Sequence, residues 1–349
     1  MKLVLFALGF SLIVLTALSR VRSARWWIRF ADFPRLQIAV ALVLVEGVFL
    51  FYFDWASPLE ALFGLTLLGC LGYQCFRIYP YTPLASRSVL DASPGDRARS
   101  VRILISNVLM ENRRDDDFIA LVHEHDPDLI LAVETDAWWD ERLRVLDRDY
   151  PNAIKQPQSN YYGMHFFSKL ELSAAEVRFL VGEDVPSIRA DVRLRSGDII
   201  EFIGIHPRPP EPQQDTEERD AELLIVGRQV EAGARPAIVA GDLNDVAWSH
   251  TTQLFQRISG MLDPRRGRGM FRTFHARYPM LRWPLDHVLH KNTFTLVRLQ
   301  RLRNIGSDHF PVCVELQYEP TAEAKQEAPK QDAGDAEEAR ERIAEGGRR

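Results

Sequence analysis

Cysteine is nearly missing from this chain: three residues in 349, at Cys70, Cys75 and Cys313. Two lie in or beside one apolar stretch and the third sits in an apolar strand-like run. No disulfide framework or zinc-binding spacing is visible. An excess of positive charge is also lacking. The chain carries a formal −5, and residues 100–318 hold 27 basic against 33 acidic side chains. That balance argues against generic affinity for DNA, which depends on neutralising phosphates. Large apolar residues almost vanish after Tyr318, where the chain becomes rich in Glu, Ala, Lys and Arg. Residues 319–349 are therefore expected to be a disordered charged tail, with a transient helix at most over Asp335–Ile343.

Long apolar runs are present, and they crowd one end. Leu3–Leu18, Leu36–Phe53 and Leu59–Phe76 approach the length that crosses a bilayer. Residues 1–76 are accordingly expected to form a membrane region of about three transmembrane helices. The first run has no convincing small-residue cleavage site and is followed by Arg20, Arg22 and Arg25, although a two-span or signal-peptide variant stays open. Arg29 and Arg35 add to the charge of this first connection, and Arg77 and Arg87 follow the third run, whereas the second connection has no basic residue. The positive-inside rule then places the soluble domain on the cytoplasmic side. The first connection can also be read as an interfacial helix anchored by Trp26 and Trp27. Glu46, inside the second run, calls for a helix–helix contact or a place near the interface. Residues 77–99, with Pro80, Pro83, Pro94 and Gly95, read as a linker.

From residue 100 onward, extended and amphipathic runs alternate. Phe118, Leu121 and Val122 have helical spacing, as do Leu223, Val226 and Val230. Strand-like runs at Tyr162–Phe167, Ile188–Leu194 and Ile199–Ile205 follow one another without helices, the pattern of antiparallel neighbours. The residues alone thus give mixed α and β. Polar residues recur at the ends of apolar runs. Asp242 and Asn244 follow Pro236–Ala240; Asn107 follows Val101–Ile105; Glu134 follows Asp128–Val133; His206 follows Ile199–Ile205. Asp286 opens another run, and Asp308-His309 precedes Phe310–Val314. Each alone is compatible with a turn former or helix cap. Six such strand ends carrying carboxylates, amides and imidazoles instead suit phosphoryl chemistry, which needs a cation, an aligned water and donors for developing charge.

This ordered set resembles the endonuclease/exonuclease/phosphatase superfamily over roughly residues 100–318. It is also similar to a membrane-anchored bacterial branch, through His206-Pro-Arg-Pro-Pro210 and Asp245-Val-Ala-Trp-Ser249. The resemblance implies a four-layer α/β/β/α sandwich, two mixed and largely antiparallel sheets flanked by helices, behind N-terminal transmembrane helices in a multi-pass inner-membrane protein. It implies a divalent-metal-dependent phosphoesterase, with nucleic-acid hydrolysis and a non-catalytic membrane scaffold as alternatives. The family's active-site tyrosine corresponds to Tyr161, to Tyr162 or to neither.

Chemistry then suggests roles. Glu134 is the natural ligand for Mg²⁺ or Mn²⁺, with Asn107 and Asp308 completing the site. Asp242 would position or deprotonate the attacking water. His309, oriented by Asp286, would contact the phosphate, and Asn244 and His206 would donate to phosphate oxygens or the leaving group. Arg265, Arg266 and Arg268 lie in an arginine-rich segment that is either a substrate-binding loop or a solvated surface loop. Membrane attachment favours a membrane-borne phosphorylated substrate over nucleic acid.

Overall fold

The computed structural model describes residues 1–93, 96–212 and 214–348; Pro94 and Gly95 of the expected linker lie outside the described residues. The helices are α1 (Lys2–Leu18), α2 (Trp26–Arg29), α3 (Arg35–Tyr52), α4 (Pro58–Ile78), α5 (Asp115–His125), α6 (Ala137–Leu143), α7 (Glu217–Ala232), α8 (His250–Ser259) and α9 (Asp335–Gly346). The strands are β1 (Ser100–Asn107), β2 (Leu129–Val133), β3 (Asn152–Gln156), β4 (Met164–Ser168), β5 (Glu171–Phe179), β6 (Pro186–Arg193), β7 (Ile199–Gly204), β8 (Ala237–Asp242), β9 (Asp286–His290), β10 (Phe294–Arg301) and β11 (Val312–Tyr318). One sheet has the order β10-β11-β1-β2-β4-β3 and the other β5-β6-β7-β8-β9.

The apolar runs are continuous because the central strands are covered on both faces. Side chains alternate between layers: Ile103 and Ile105 join Ile238 and Ala240 between the sheets. Leu104 faces outward onto Phe118 and Leu121 of α5 and Trp139 of α6. Val239 faces outward onto Leu223 and Val226 of α7 and Phe255 of α8. Between the sheets, the rings of Phe166 and Phe202 stack 4.5 Å apart. Losing either to Ala costs about 3–5 kcal/mol. The four-layer α/β/β/α architecture is therefore the observed one. The run of strands without helices is not a single meander. β4 belongs to the first sheet, and β5, β6 and β7 make antiparallel pairs in the second.

At the N-terminus, α1, α3 and α4 pack around Ile38, Leu42, Val45 and Leu67. Two helices, Arg35–Tyr52 and Pro58–Tyr81, are long and apolar enough to cross a membrane, and Lys2–Leu18 is a shorter apolar helix. Their most apolar windows are 33% and 17% buried. The outward faces carry Leu3, Phe10, Leu44, Phe51 and Leu65, the reverse of a water-facing helix. Glu46 lies against Gly64 of α4, in a helix–helix contact.

Two expectations change. The charged tail, expected to be disordered, forms α9. Its Ala339 and Ile343 pack on Leu224, Leu254 and Ile258, and Arg342 donates to Asp220 at 2.8 Å while Asp335 accepts from Arg257 at 2.6 and 2.9 Å. Small residues and ion pairs hold this helix, so a reading based on large apolar residues passes over it. The first connection is also less free than its composition suggests. Arg29 and Arg35 are buried against Asp32, leaving Arg20, Arg22 and Arg25 to carry any charge bias.

Candidate active site

Strand direction gathers the polar strand ends at one edge. β1 and β2 run parallel, as do β7 and β8. Asn107, Glu134, His206 and Asp242 therefore all lie at or just beyond C-terminal ends. β11 is antiparallel to β1 and β9 is antiparallel to β8, which brings the segment before β11 and the start of β9 to the same edge. In register, Asp242 faces Asp286 directly. Gly241 is required just before Asp242: its φ is +147°, and a Cβ there would lie 1.8 Å from the Ile205 carbonyl oxygen.

The two sheets meet through Asn107, whose Nδ2 donates to Glu134 Oε1 at 2.7 Å and to Asp242 Oδ2 at 3.2 Å. The Met110 N–H donates to Glu134 Oε2 at 3.3 Å. Asp242 accepts a further bond from the Asn244 N–H at 3.0 Å. His309 Nδ1 lies 2.8 Å from Asp286 Oδ2, and its Nε2 lies 3.4 Å from Asp242 Oδ2. His206 Nε2 is 3.8 Å from the same Asp242 oxygen, and its buried Nδ1 has no partner. The structure thus brings together Asn107, Glu134, His206, Asp242, Asn244, Asp286 and His309. Asp308 is half-buried beside them, close enough to Glu134 to act on it electrostatically.

Burial and charge set the protonation states. Burial opposes a charge on His309, but the Asp286 and Asp242 carboxylates outweigh it and lift the imidazole to about 10. Burial also works against ionisation of Asp242, yet His309 and His206 hold it below the usual carboxylate range. Burial pulls His206 down to about 4, against the attraction of Asp242, so it is neutral at pH 7. Glu134 is pushed up to about 7, first by burial and then by Asp308 and Asp242, with the Asn107 bond and His309 opposing. A carboxylate this poorly compensated, with the Asp308 and Asp242 carboxylates acting on it, fits a hard divalent cation. Asp242, Asp286 and His309 also cluster closely enough to hold an ion. There, however, His309 keeps a proton between two carboxylates and is not free to ligate. Glu134 is the carboxylate left for an ion; Asn107 faces it with Nδ2, and the Asn107 Oδ1 accepts from the Leu109 N–H at 3.0 Å.

The two tyrosines have different surroundings. The Tyr162 ring lies 5.7 Å from His206 and has Arg208 stacked over it at 5.2 Å. Tyr161 donates its hydroxyl to Glu111.

For Arg265 and Arg268, geometry favours a bracing role over the expected substrate-binding one. Arg265 is buried, forking onto Asp263 at 2.9 and 2.8 Å, donating to the Asp286 carbonyl at 3.2 Å and contacting His287 Nδ1 at 2.7 Å. Arg268 donates to Asp91 Oδ1 at 2.6 Å and to the Val89 carbonyl at 2.7 Å. Arg265 and Arg268 brace the fold; only Arg266, half-buried, is without such a partner among the described residues. Asn244 is also partly committed, since its Nδ2 donates to the Pro207 carbonyl at 2.9 Å. Several supporting residues carried no recognised sequence signal. Thr273 Oγ1 accepts from the Asp286 N–H at 3.3 Å. Ser307, embedded in the Asp308-His309 motif, donates to the Asn107 carbonyl at 2.8 Å and accepts from the His309 N–H at 3.0 Å. Arg219 holds the Asn244 carbonyl at 2.8 Å.

A fold of this kind with acids, amides and imidazoles at one double-sheet edge defines a hydrolase of phosphate esters. Residues 104–309 match the family model described as endonuclease/exonuclease/phosphatase family, and the chain belongs to that family. Solved structures share the fold. A TDP2 of D. rerio humanized by 14 mutations is 15% identical with a TM-score of 0.52, covering 63% of this chain and 99% of that one. The human Nocturnin catalytic domain with bound sulfate is 17% identical with a TM-score of 0.53, covering 66% and 97%. An endonuclease/exonuclease/phosphatase from Bacteroides vulgatus is 18% identical with a TM-score of 0.52, covering 63% and 99%. No curated protein matches the chain.

Proposed function

We propose that this enzyme is a Mg²⁺- or Mn²⁺-dependent phosphoesterase anchored by its N-terminal helices, cleaving a phosphodiester, phosphomonoester or pyrophosphate carried by a membrane lipid. One observation supports the membrane-borne substrate above the others: the active-site edge abuts the base of the helices. Phe274 lies 4.9 Å from the His309 ring and 6.0 Å from Trp283, which in turn lies 5.6 Å from Phe33, just before α3. A site beside helices that would lie in a bilayer is within reach of esters at its surface, and the negative charge of the domain disfavours nucleic acid.

The residues divide the work. Glu134, Asn107 and Asp308 would hold the cation, which would supply charge stabilisation on the phosphate oxygens. Asp242, kept ionised, accepts a hydrogen bond from the attacking water and takes its proton as the new P–O bond forms and the P–O bond to the leaving oxygen breaks, that oxygen taking up a proton from solvent as it departs. His309 holds its proton against Asp286 and presents Nε2–H to a phosphate oxygen. Neutral His206 and the remaining amide hydrogen of Asn244 add donors that strengthen as charge builds in the transition state.

The test uses the full chain in detergent, assayed on lipid phosphates, lipid pyrophosphates and plasmid DNA with and without chelator. Hydrolysis of a lipid phosphate that needs the metal and is lost in Glu134→Gln is the expected result. Efficient nicking of DNA with no lipid hydrolysis would replace this reading with a nuclease.

A further inference from the structure

Arg272, Arg282 and Arg301 form a cationic cluster that the reaction described above does not use. The Arg301 and Arg282 guanidinium carbons lie 4.5 and 4.9 Å from the centre of the Phe310 ring, next in sequence to His309. Arg301 donates to the Arg272 carbonyl at 2.9 Å. Arg282 donates only to the carbonyls of His275 and Ala276. None of the three pairs with a carboxylate among the described residues, although ion pairs occupy arginines elsewhere, as at Arg265 and Arg268. Burial, followed by Arg282 and Arg272, pulls the Arg301 guanidinium below its ordinary value, and no acid offsets this. Arg301 is exposed and Arg272 and Arg282 are half-buried, so the cluster is open to solvent and offers three guanidinium groups to an anion.

The surroundings say what carries that anion. Arg272 and Arg301 line a cleft of about 620 Å³ whose walls include Leu36, Tyr81, Met270 and Leu299. Leu36 is in the first turn of α3, and Tyr81 ends the second of the two long apolar helices. The cleft therefore lies at the level where those helices end. Beside it, Tyr278, Met280 and Leu281 project an exposed apolar tip, with Met280 74% accessible, and Gln37 of α3 ties down the Met280 carbonyl at 2.7 Å. A cationic end, an apolar wall and a place at the helix ends match a phosphate headgroup still attached to its lipid.

We propose that Arg272, Arg282 and Arg301 bind the phosphate of an anionic membrane lipid, with the lipid's apolar part against Leu36, Tyr81 and Met270, beside the reaction centre. This rests on the membrane-borne reading of the function, and its test separates the two. Binding is measured calorimetrically on the full chain in neutral detergent, carrying Asp242→Asn so that turnover plays no part. The probes are dihexanoyl phosphatidic acid, dihexanoyl phosphatidylcholine, inorganic phosphate and a single-stranded oligonucleotide. We expect saturable binding of phosphatidic acid, weakened roughly tenfold or more when Arg272, Arg282 and Arg301 are all changed to Gln, since charge-assisted bonds carry it. Phosphatidylcholine and inorganic phosphate should bind more weakly. Unchanged affinity in the triple variant overturns the proposal. So does inorganic phosphate matching the lipid, which marks a site for free anions, or displacement of the lipid by oligonucleotide at lower concentration. If the triple variant unfolds early by thermal melt, Arg301→Gln and Arg282→Gln singly carry the same comparison. Metal-dependent hydrolysis of a soluble phosphodiester is read separately on the wild-type chain. Arginine-dependent lipid binding without hydrolysis overturns the catalytic reading alone, and hydrolysis with arginine-independent binding overturns this one alone.

Discussion

Arg29 donates to Asp245 across 216 positions of sequence, Nη2 to Oδ2 at 3.1 Å, with both side chains buried. Asp245 directly follows Asn244, and its carboxylate also accepts from Ser249 at 2.6 Å. Arg29 further donates to Thr251 at 3.2 Å, and Thr251 donates to Asp220, which Arg219 and Arg342 also hold. A single buried network therefore joins the connection after α1, the first turn of α7, the β8–α8 loop of the active site and the C-terminal α9. Burying ions is costly, and here each charged side chain faces at least one opposite charge, while Arg29 Nε is left without a hydrogen-bond partner.

Arg29→Ala should be destabilising, because it removes the nearer of the two arginines on the buried Asp245 carboxylate and leaves Arg219 Nη2 at 3.5 Å. The expected loss is about 3 kcal/mol, the low end for breaking a buried pair, read as a shift of the denaturant midpoint in detergent. Removing Thr251's hydroxyl should cost far less. An Arg29→Ala midpoint within error of wild type would mean that the network is solvated in the native protein.

Asp286 and His309 should act as one unit. With His309 Nδ1 2.8 Å from Asp286 Oδ2, the imidazole depends on that carboxylate for both its orientation and its charge. Asp286→Asn and His309→Gln should each lower kcat by similar orders of magnitude, and the double variant should be scarcely worse than either. Additive losses in the cycle would show that the pairing has no catalytic consequence.

The site was legible in the sequence because its chemistry sits at the ends of apolar runs, and strand direction then carries those ends to one edge. Asn107, Glu134, His206, Asp242 and His309 needed only the run and the polar residue that closes or precedes it. The arginines misled because sequence proximity says nothing about which guanidinium is already engaged. Arg265 and Arg268 find Asp263 and Asp91, whereas Arg301, thirty-odd positions away on β10, joins Arg272 and Arg282. The tail was missed for a related reason. Ala339 and Gly346 pack closely by being small: Gly346 presses on α7 so tightly that a Cβ there would lie 2.4 Å from Ala221 Cβ. Hydrophobic periodicity does not register such contacts.

Glu222 on α7 gives a pH prediction distant from the chemistry. It is buried, its Oε1 has no partner, and burial pushes its carboxyl up to about 8, with Arg208 opposing and Glu218 adding to the shift. An acid whose folded value is raised binds its proton more tightly when folded. Its contribution to stability is complete below the unfolded value near 4.5 and is lost as pH rises toward 8. The slope across that window is at most about 1.4 kcal/mol per pH unit. Glu222→Gln should therefore flatten the decline between those limits and raise the unfolding temperature most at the alkaline end. Parallel stability–pH curves for the two proteins would exclude the assignment.

Arg265 separates a bracing role from a binding one. Its guanidinium forks onto Asp263 and supports the carbonyl of Asp286, the residue that orients His309. Arg265→Ala leaves Asp263 buried and unpaired, and the stability loss should again reach about 3–5 kcal/mol. Arg265→Lys keeps the charge but loses the planar fork, so it should recover only part of that stability. In enzyme that remains folded, displacement of the Asp286 backbone should lower kcat for lipid and soluble esters alike, with KM little changed, because the side chain never meets substrate. Arg301→Gln should show the opposite division, with stability near wild type and KM raised for an anionic lipid ester. Thermal melts beside steady-state kinetics on both ester types decide it. A selective rise in KM for Arg265→Lys, at unaltered stability, would return that residue to the substrate-binding role that its sequence position first suggested.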